Sequence, residues 1–312
     1  MAEIPSLGDE CPWSPLDSAY RVYVGVFLII SGILGVVANG WLVTGFLISP
    51  LLNIKTHLLI LNLTVNCLGR GLLAGFPFAG TSILAGRWLF GAKCCQLFAF
   101  LQQLFGMSQV AAVTMLAVER VMVTRYLYSR THPPLQQYVT GILLCWTTAA
   151  LWSVPPLLSW GRYGCDPTAM SCSLQWDLNT GYSSKIYNIC LLLLGGILPA
   201  TLMSFCIWCA VSSEGRSSAG MDVDRLSQRA LTKTVGVLVP GLCLMWLPHS
   251  LLVLWSLTGI PLPVPLVILA TMSSEASAVI PISACMACDQ NMRRALLGIL
   301  GISTYSPAKN GR

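Results

Sequence analysis

The chain has 312 residues, of which 55% are hydrophobic and only 10% carry a charged side chain. Soluble domains are about 25% charged on average, so this composition nearly excludes a soluble globule. The net charge of +6 comes from 18 lysines and arginines against 12 acids. A polytopic membrane protein is expected, because an apolar run of about 20 residues can cross a hydrocarbon core of about 30 Å.

Seven apolar runs of that length follow one another along the chain. They show no two-residue alternation, so they predict helices, which satisfy their own backbone polar groups in lipid, and not a barrel. We expect an all-α bundle of seven transmembrane helices over residues 22–288, between an extracellular segment 1–21 and a cytoplasmic segment 289–312. The predicted spans are 22–48, 57–82, 95–121, 138–158, 186–211, 233–257 and 264–288.

The basic residues of the loops predict the orientation, because short cytoplasmic loops carry an excess of Lys and Arg. The N-terminus and the loops on its side of the membrane hold five basic residues, and the opposite side holds twelve. This imbalance predicts an extracellular N-terminus and a protein of the plasma membrane. It also accounts for the positive net charge, with contacts to membrane lipid and no nucleic acid partner.

Five of the 13 cysteines lie on the predicted oxidising side: Cys11, Cys94, Cys95, Cys165 and Cys172. With an odd number, at least one has no partner within this set. Cys95 opens the third span and Cys172 lies in the loop before the fifth, so a disulfide between them would hold that loop over the mouth of the bundle. The pairing of the other three stays open. No Cys or His spacing typical of a metal site is present, so no metal is expected.

Short motifs occur in a fixed order along the spans. They are Asn39 in the first, Leu61-Asn62-Leu63 in the second, Glu119-Arg120-Val121 at the end of the third, Trp146 in the fourth, Pro199 in the fifth and Met245-Trp246-Leu247-Pro248-His249 in the sixth. In this order and spacing they resemble the rhodopsin-like, class A G protein-coupled receptors over essentially the whole chain. The resemblance implies a heterotrimeric G protein as partner, with Glu119 and Arg120 taking part in coupling.

Within that family the chain is most similar to the opsins. The likeness lies in Pro155-Pro156-Leu157, Trp160-Gly161-Arg162-Tyr163, Met170-Ser171-Cys172-Ser173 and Ser277-Ala278-Val279. It implies photoreception and phototransduction with retinal as the light-absorbing ligand.

The positions that hold retinal in opsins differ here. The lysine that forms the Schiff base lies two residues before the Ser-Ala-Val stretch, and that position is Glu275 in a seventh span without lysine. The third-helix counterion position is Phe98, although Asp166 occupies the place of a second counterion. A carboxylate cannot condense with an aldehyde to an imine. We therefore expect no covalent Schiff base, while non-covalent retinal or another small apolar ligand stays open.

The resemblance also shows where signalling motifs are altered. The second-helix acid of the family is Cys67, the fifth-helix tyrosine is Ile207, and the seventh-helix Asn-Pro-x-x-Tyr motif is replaced by residues 281–285. These changes put G protein coupling in question. Arg293 begins an amphipathic stretch that predicts a short eighth helix lying on the membrane.

Arg70 and Glu275 are ionisable residues deep inside predicted spans. An unpaired charge at that depth costs about 3 kcal/mol or more, so we expect the two to form a buried ion pair. The alternative is that Glu275 is protonated and that Arg70 extends towards the interface.

By analogy with the family, a ligand cavity is expected between the helices. Its predicted lining is Phe98, Gln102, Gln103, Gly106, Met107, Trp176, Trp246, His249 and Glu275. Aromatic walls with a few polar groups suit a small apolar or amphipathic ligand. The alternatives are that the aromatic residues only fill the core and that Gly106 only allows close helix packing.

The sequence therefore predicts an opsin-like receptor that passes a light or small-ligand stimulus to G proteins. No serine, histidine and aspartate arrangement or phosphate-binding glycine loop indicates an enzyme. Two alternatives are a retinoid photoisomerase, whose chemistry also needs the missing lysine, and a receptor-like protein that has lost coupling. A transporter is disfavoured, because inverted repeats with broken helices are not evident.

Overall fold

The computed structural model describes residues 11–14, 16–73, 75–129, 133–175, 182–216 and 223–301. Within these ranges, seven helical segments are long and apolar enough to cross a membrane, which confirms the predicted fold class. They are Ser18–Ile48, Thr56–Ala85, Gly91–Thr124, Leu135–Leu158, Ser183–Ser213, Leu226–Ser256 and Val264–Cys288. Most of these segments extend a few residues beyond the predicted apolar runs, because a helix also forms its own backbone hydrogen bonds outside the hydrocarbon core.

The α-helices are numbered in chain order. They are α1 (Ser18–Ile48), α2 (Thr56–Leu73), α3 (Phe76–Ala85), α4 (Gly91–Ser129), α5 (Leu135–Ser153), α6 (Tyr182–Cys190), α7 (Leu198–Arg216), α8 (Val223–Ser256), α9 (Val264–Ala276), α10 (Ile280–Cys288) and α11 (Gln290–Ile299). Short 3₁₀ turns occupy Pro50–Asn53, Pro155–Leu158 and Ser277–Val279, and a π-helical stretch, Leu191–Ile197, joins α6 to α7. The second span thus consists of α2 and α3, and the seventh of α9, the turn Ser277–Val279 and α10.

Helix α11 is the eighth helix that the sequence predicts, and it begins at an aspartate cap. The Asp289 carboxylate accepts hydrogen bonds from the backbone N–H groups of Asn291 at 2.9 Å and Met292 at 3.1 Å. Its other oxygen lies 3.3 Å from Nε2 of His57 at the start of α2. Burial alone would raise the pKa of Asp289, but these partners hold it below its usual value. The cap therefore fixes α11 against the base of α2.

A two-stranded antiparallel hairpin covers one end of the bundle, between α5 and α6. Strand β1 (Tyr163–Cys165) pairs with β2 (Cys172–Leu174), with Cys165 opposite Cys172. Its turn contains Ala169 in the left-handed region at φ 61°, a conformation that non-glycine residues rarely adopt. The Ala169 carbonyl accepts a hydrogen bond from the Trp88 N–H at 3.2 Å, so contacts with the loop before α4 support this turn.

Two disulfides hold the hairpin, one on each strand. Cys95 at the start of α4 is joined to Cys172, which confirms the predicted bridge. Cys11 in the N-terminal segment is joined to Cys165, a pairing that the sequence left open, and Cys94 remains a free thiol. The four bridging sulfur atoms lie within 4.8 Å of one another. The two strands are consequently linked to the N-terminal segment and to α4 at the same end of the hairpin.

Buried polar contacts fix the helices that surround the site. Asn39 of α1 donates from Nδ2 to the carbonyl of Ala278 in the seventh span at 2.8 Å. Trp146 of α5 donates from Nε1 to Asn62 Oδ1 of α2 at 3.0 Å. Because such groups have no water to bind inside a bilayer, these pairings fix how the first, second, fourth and seventh spans meet.

Replacing both Cys11 and Cys165 by serine tests the second disulfide. A disulfide stabilises a fold by about 2–4 kcal/mol, so we expect the double variant to unfold at a lower temperature than the wild type in detergent. The Cys94→Ser variant is the matched control and should unfold like the wild type. Peptide mapping without reduction should find Cys11 linked to Cys165, and a Cys94 cross-link would contradict this arrangement.

Candidate functional site

The guanidinium of Arg70 lies at the centre of the site, near the end of α2. Its side chain is 5% exposed, and each of its three nitrogens donates a hydrogen bond. Nε donates to Gln102 Oε1 of α4 at 2.9 Å, and Nη1 donates to the Ser274 carbonyl of α9 at 2.9 Å. Nη2 lies 3.4 Å from Glu275 Oε1. Arg70 therefore turns into the bundle instead of extending towards the interface.

The carboxylate of Glu275 is the acidic partner of Arg70. Its side chain is 5% exposed, and Oε1 also accepts a hydrogen bond from Gln102 Nε2 at 2.9 Å. Gln102 thus bridges the pair, with its oxygen on Arg70 and its nitrogen on Glu275. A buried ion pair is stable only when further hydrogen bonds satisfy its remaining donors and acceptors. Gln102 and the Ser274 carbonyl supply those bonds here.

The indole of Trp246, in α8, forms the floor beneath this pair. The Arg70 guanidinium carbon lies 5.5 Å from the Trp246 ring centroid, which is within cation–π range. Trp246 Nε1 donates to Gln109 Oε1 of α4 at 3.3 Å, and Ser277 Oγ donates to the same oxygen at 3.1 Å. A hydrogen-bonded chain consequently runs from the floor of the site to the 3₁₀ turn of the seventh span.

A cavity of about 80 Å³ lies above Trp246 and below the hairpin. Helices α2, α3, α4, α8 and α9 and strand β2 all contribute to its walls. Its lining is Arg70, Ala79, Phe98, Ala99, Gln102, Gln103, Asp166, Ser171, Cys172, Ser173, Leu174, Trp246, His249, Leu252, Val267, Thr271, Ser274 and Glu275. Pockets for drug-sized ligands measure about 300–1,000 Å³, so a cavity of this size holds only a small molecule or a few waters.

Asp166 reaches the cavity from the turn of the hairpin. Its Oδ1 accepts hydrogen bonds from the Thr168 N–H at 3.0 Å and from the Thr168 hydroxyl at 2.5 Å. Burial raises the pKa of Asp166 to about 6, against the effect of these hydrogen bonds. This carboxyl therefore changes its charge close to physiological pH, outside the membrane spans.

Six of the nine residues predicted to bind a ligand line this cavity: Phe98, Gln102, Gln103, Trp246, His249 and Glu275. Gly106 does not, because Trp246 covers it; a Cβ on Gly106 would lie 2.6 Å from the indole. Met107 does not either, since its methyl group packs against Gly195 of the π-helical stretch. Trp176 lies outside the described residues.

Some residues of the site had no clear signal in the sequence. Gln109 and the Ser274 carbonyl were missed, because a backbone acceptor and an uncharged amide do not stand out among apolar residues. Gln109 also donates from Nε2 to Cys67 Sγ of α2 at 3.7 Å. The lining is also more polar than predicted, because the hairpin adds Asp166, Ser171 and Ser173.

Glu119 and Arg120 lie at the opposite end of the bundle. Arg120 is 1% exposed and donates from Nε to Glu119 Oε2 at 2.7 Å. Arg120 also donates to Thr56 Oγ1 of α2 at 2.6 Å and to Gln228 Oε1 of α8 at 2.9 Å. The Tyr138 hydroxyl donates to Glu119 Oε1 at 3.0 Å. Arg120 is thus held between α2, α4 and α8.

A double-mutant cycle on Arg70 and Glu275 tests the ion pair. We expect Arg70→Met alone or Glu275→Met alone to lower the free energy of unfolding by about 3–5 kcal/mol, because each leaves a buried charge without a partner. The double variant should recover most of that loss. Gln103→Met, an uncharged change in the same cavity, is the control and should cost less. Additive losses, measured by unfolding in mixed detergent, would contradict the pairing.

Comparison with known proteins places this architecture in a family. The model of the seven-transmembrane receptors of the rhodopsin family matches residues 38–289. The chain is 26% identical to the human visual pigment-like receptor peropsin over 90% of this chain and 85% of that protein. It is 26% identical to the rhodopsin of the octopus Enteroctopus dofleini, over 79% of this chain and 58% of that protein.

Squid rhodopsin has the same fold, with a TM-score of 0.80 at 19% identity over 98% of this chain and 97% of the squid chain. The family model covers most of the chain, from the first span to the start of the eighth helix. The protein therefore belongs to the rhodopsin family of seven-transmembrane receptors and is an opsin-like member of it.

Proposed function

We propose that the protein is an opsin-like receptor that passes a signal from a non-covalently bound ligand to a heterotrimeric G protein. One observation carries this proposal: at the position of the opsin lysine, the Glu275 carboxylate is buried and paired with Arg70 at 3.4 Å. A carboxylate forms no imine, so retinal has no covalent attachment there. The ion pair takes the place of the Schiff base and its counterion with the signs rearranged, the acid now on the seventh span and the cation on the second.

The size of the cavity also argues against a retinal pigment. Its volume is about 80 Å³, whereas pockets for larger organic ligands start at about 300 Å³. The Arg70 side chain, with its bonds to Gln102 and Ser274, lies in the middle of the space between the helices. A small polar ligand therefore suits the site better than a retinoid, and the same argument disfavours a photoisomerase.

The cytoplasmic network supports a role in signalling. Arg120 is buried and held by Glu119, Thr56 and Gln228, so it is poised to be released when α8 moves away from α4. Such an arrangement gives the bundle two states whose balance a ligand can shift. The altered residues Cys67 and Ile207 change the route of coupling but leave this contact intact.

The orientation follows from charge and cysteine chemistry together. Both disulfides lie at the end of the bundle that carries the N-terminal segment, and disulfides persist on the oxidising side of a membrane. The charge imbalance between the loops indicates the same direction. We therefore place residues 1–21 outside the cell, residues 22–288 in the plasma membrane, and residues 289–312 in the cytoplasm.

Absorption spectroscopy with retinal tests the absence of a Schiff base. The purified receptor, incubated with 11-cis or all-trans retinal, should show no visible band that hydroxylamine removes and no difference between dark and illuminated samples, because Glu275 offers no amine. Squid rhodopsin treated in the same way is the positive control. A hydroxylamine-sensitive band in the wild-type protein would show that another amine attaches retinal.

Nucleotide exchange on G proteins tests coupling. We expect Glu119→Gln to raise basal exchange severalfold, because the amide holds the Arg120 guanidinium more weakly than the carboxylate does. Arg120→Ala should abolish the increase when combined with Glu119→Gln. Gln137→Glu, an exposed change in α5, is a control that should leave exchange unchanged. No exchange above empty membranes with any variant would favour a protein that has lost coupling.

A further inference from the structure

The charges around the cavity do not balance. Arg70 is the cation of the lining, and Asp166 and Glu275 are its two acids. Glu275 and Arg70 neutralise each other at 3.4 Å, so an ionised Asp166 leaves the cavity with a net negative charge. In a space of low polarity, an uncompensated charge attracts a counterion strongly.

Two groups of the described lining can take further hydrogen bonds. The bonds that Arg70 and Gln102 donate to Glu275 both end on Oε1, which leaves Oε2 able to accept from a ligand. The Nδ1 atom of His249 is buried and has no hydrogen-bond partner in the described part of the chain. A neutral imidazole nitrogen of this kind can accept a proton donor. A ligand rich in N–H groups would therefore satisfy what the protein leaves open.

The walls favour a cation over a neutral donor. Trp246 forms the floor and the buried Phe98 is part of the wall, so aromatic rings line the cavity together with the acids. Aromatic faces attract ammonium groups. The volume of about 80 Å³ limits such a ligand to a few non-hydrogen atoms.

We propose that this cavity binds a small organic cation, a primary amine that is protonated at neutral pH, whose ammonium group lies between Asp166 and Glu275. The inference rests on the proposed function, in that it names the ligand class of the same cavity. The amine donates hydrogen bonds to Glu275 Oε2 and to the Asp166 carboxylate, while its alkyl part contacts Phe98 and Trp246. No covalent bond forms, and the pair of Arg70 with Glu275 stays in place.

Ethylammonium is a suitable probe, with ethanol and acetate as neutral and anionic ligands of similar size. Ethylammonium has three non-hydrogen atoms, and the most favourable binding free energy known for so small a ligand corresponds to a Kd of about 1 mM or weaker. Thermal unfolding of the purified full-length receptor is followed at pH 7.5 up to about 100 mM ligand, with sodium chloride keeping the ionic strength constant. We expect ethylammonium, and neither ethanol nor acetate, to raise the unfolding temperature.

The Asp166→Asn variant tests the charge at the hairpin. An amide keeps the shape of the side chain and can still accept from Thr168, so the fold should be retained. Loss of a hydrogen bond between charged groups lowers affinity about 10- to 100-fold, so we expect the Kd of ethylammonium to rise by that factor. Asp17→Asn, the same change at the exposed cap of α1, is the matched control and should bind like the wild type.

The pH dependence provides a second readout. Besides Asp166, three titratable or charged side chains line the cavity: Arg70 of α2, His249 of α8 and Glu275 of α9. The lining residues of α4 are uncharged. Asp166 has a pKa of about 6, because burial disfavours its charged form. Protonation below that pH removes the excess negative charge, so binding of ethylammonium should decline as the pH falls through about 6.

Two results would overturn this inference. The first is that sodium chloride, ethanol or acetate raises the unfolding temperature as much as ethylammonium does. The second is that ethylammonium does not raise the unfolding temperature of the folded receptor. Loss of binding in Asp166→Asn, with binding retained in Asp17→Asn, supports it. Nucleotide exchange is measured in parallel: binding without any exchange contradicts the proposed signalling, and leaves the cation site supported.

Discussion

The ion pair between Arg70 and Glu275 is the constraint on which the outer half of the bundle depends. Both side chains are only 5% exposed, and either one alone would leave a charge where solvation is poor. Their mutual attraction therefore fixes the distance between α2 and α9, and Gln102 ties α4 to both. Three helices therefore meet at one polar point.

The hairpin limits which ligands can reach the pair of Arg70 and Glu275. Two disulfides fasten its strands to α4 and to the N-terminal segment, and the turn that carries Asp166 contains a residue in a strained conformation. The cavity of about 80 Å³ lies directly under this doubly fastened cover, and its small size favours small polar molecules over a long polyene.

How much the sequence could predict depends on the kind of interaction. The spans follow from apolar length, and the pairing of Arg70 with Glu275 follows from the cost of an isolated charge in lipid. The bridge from Cys11 to Cys165 could not be derived, because five cysteines allow several pairings. The position of the Trp246 ring over Gly106 could not be derived either, since it depends on side-chain conformation. Such contacts appear only when the packed helices are seen together.

The contacts that lead from the cavity towards the middle of the bundle are formed by uncharged side chains. Here Trp246 contacts Arg70 on one side and Gln109 on the other, and Gln109 meets Ser277 at the 3₁₀ turn of the seventh span. A stretch of 3₁₀ helix inside a longer helix often marks a hinge. Glu275 lies two residues before this turn and the Ser274 carbonyl accepts from Arg70, so a ligand that contacts this pair acts close to the hinge. Neutral hydrogen bonds of Gln109 with Cys67, Trp246 and Ser277 thus connect the floor of the cavity to the hinge.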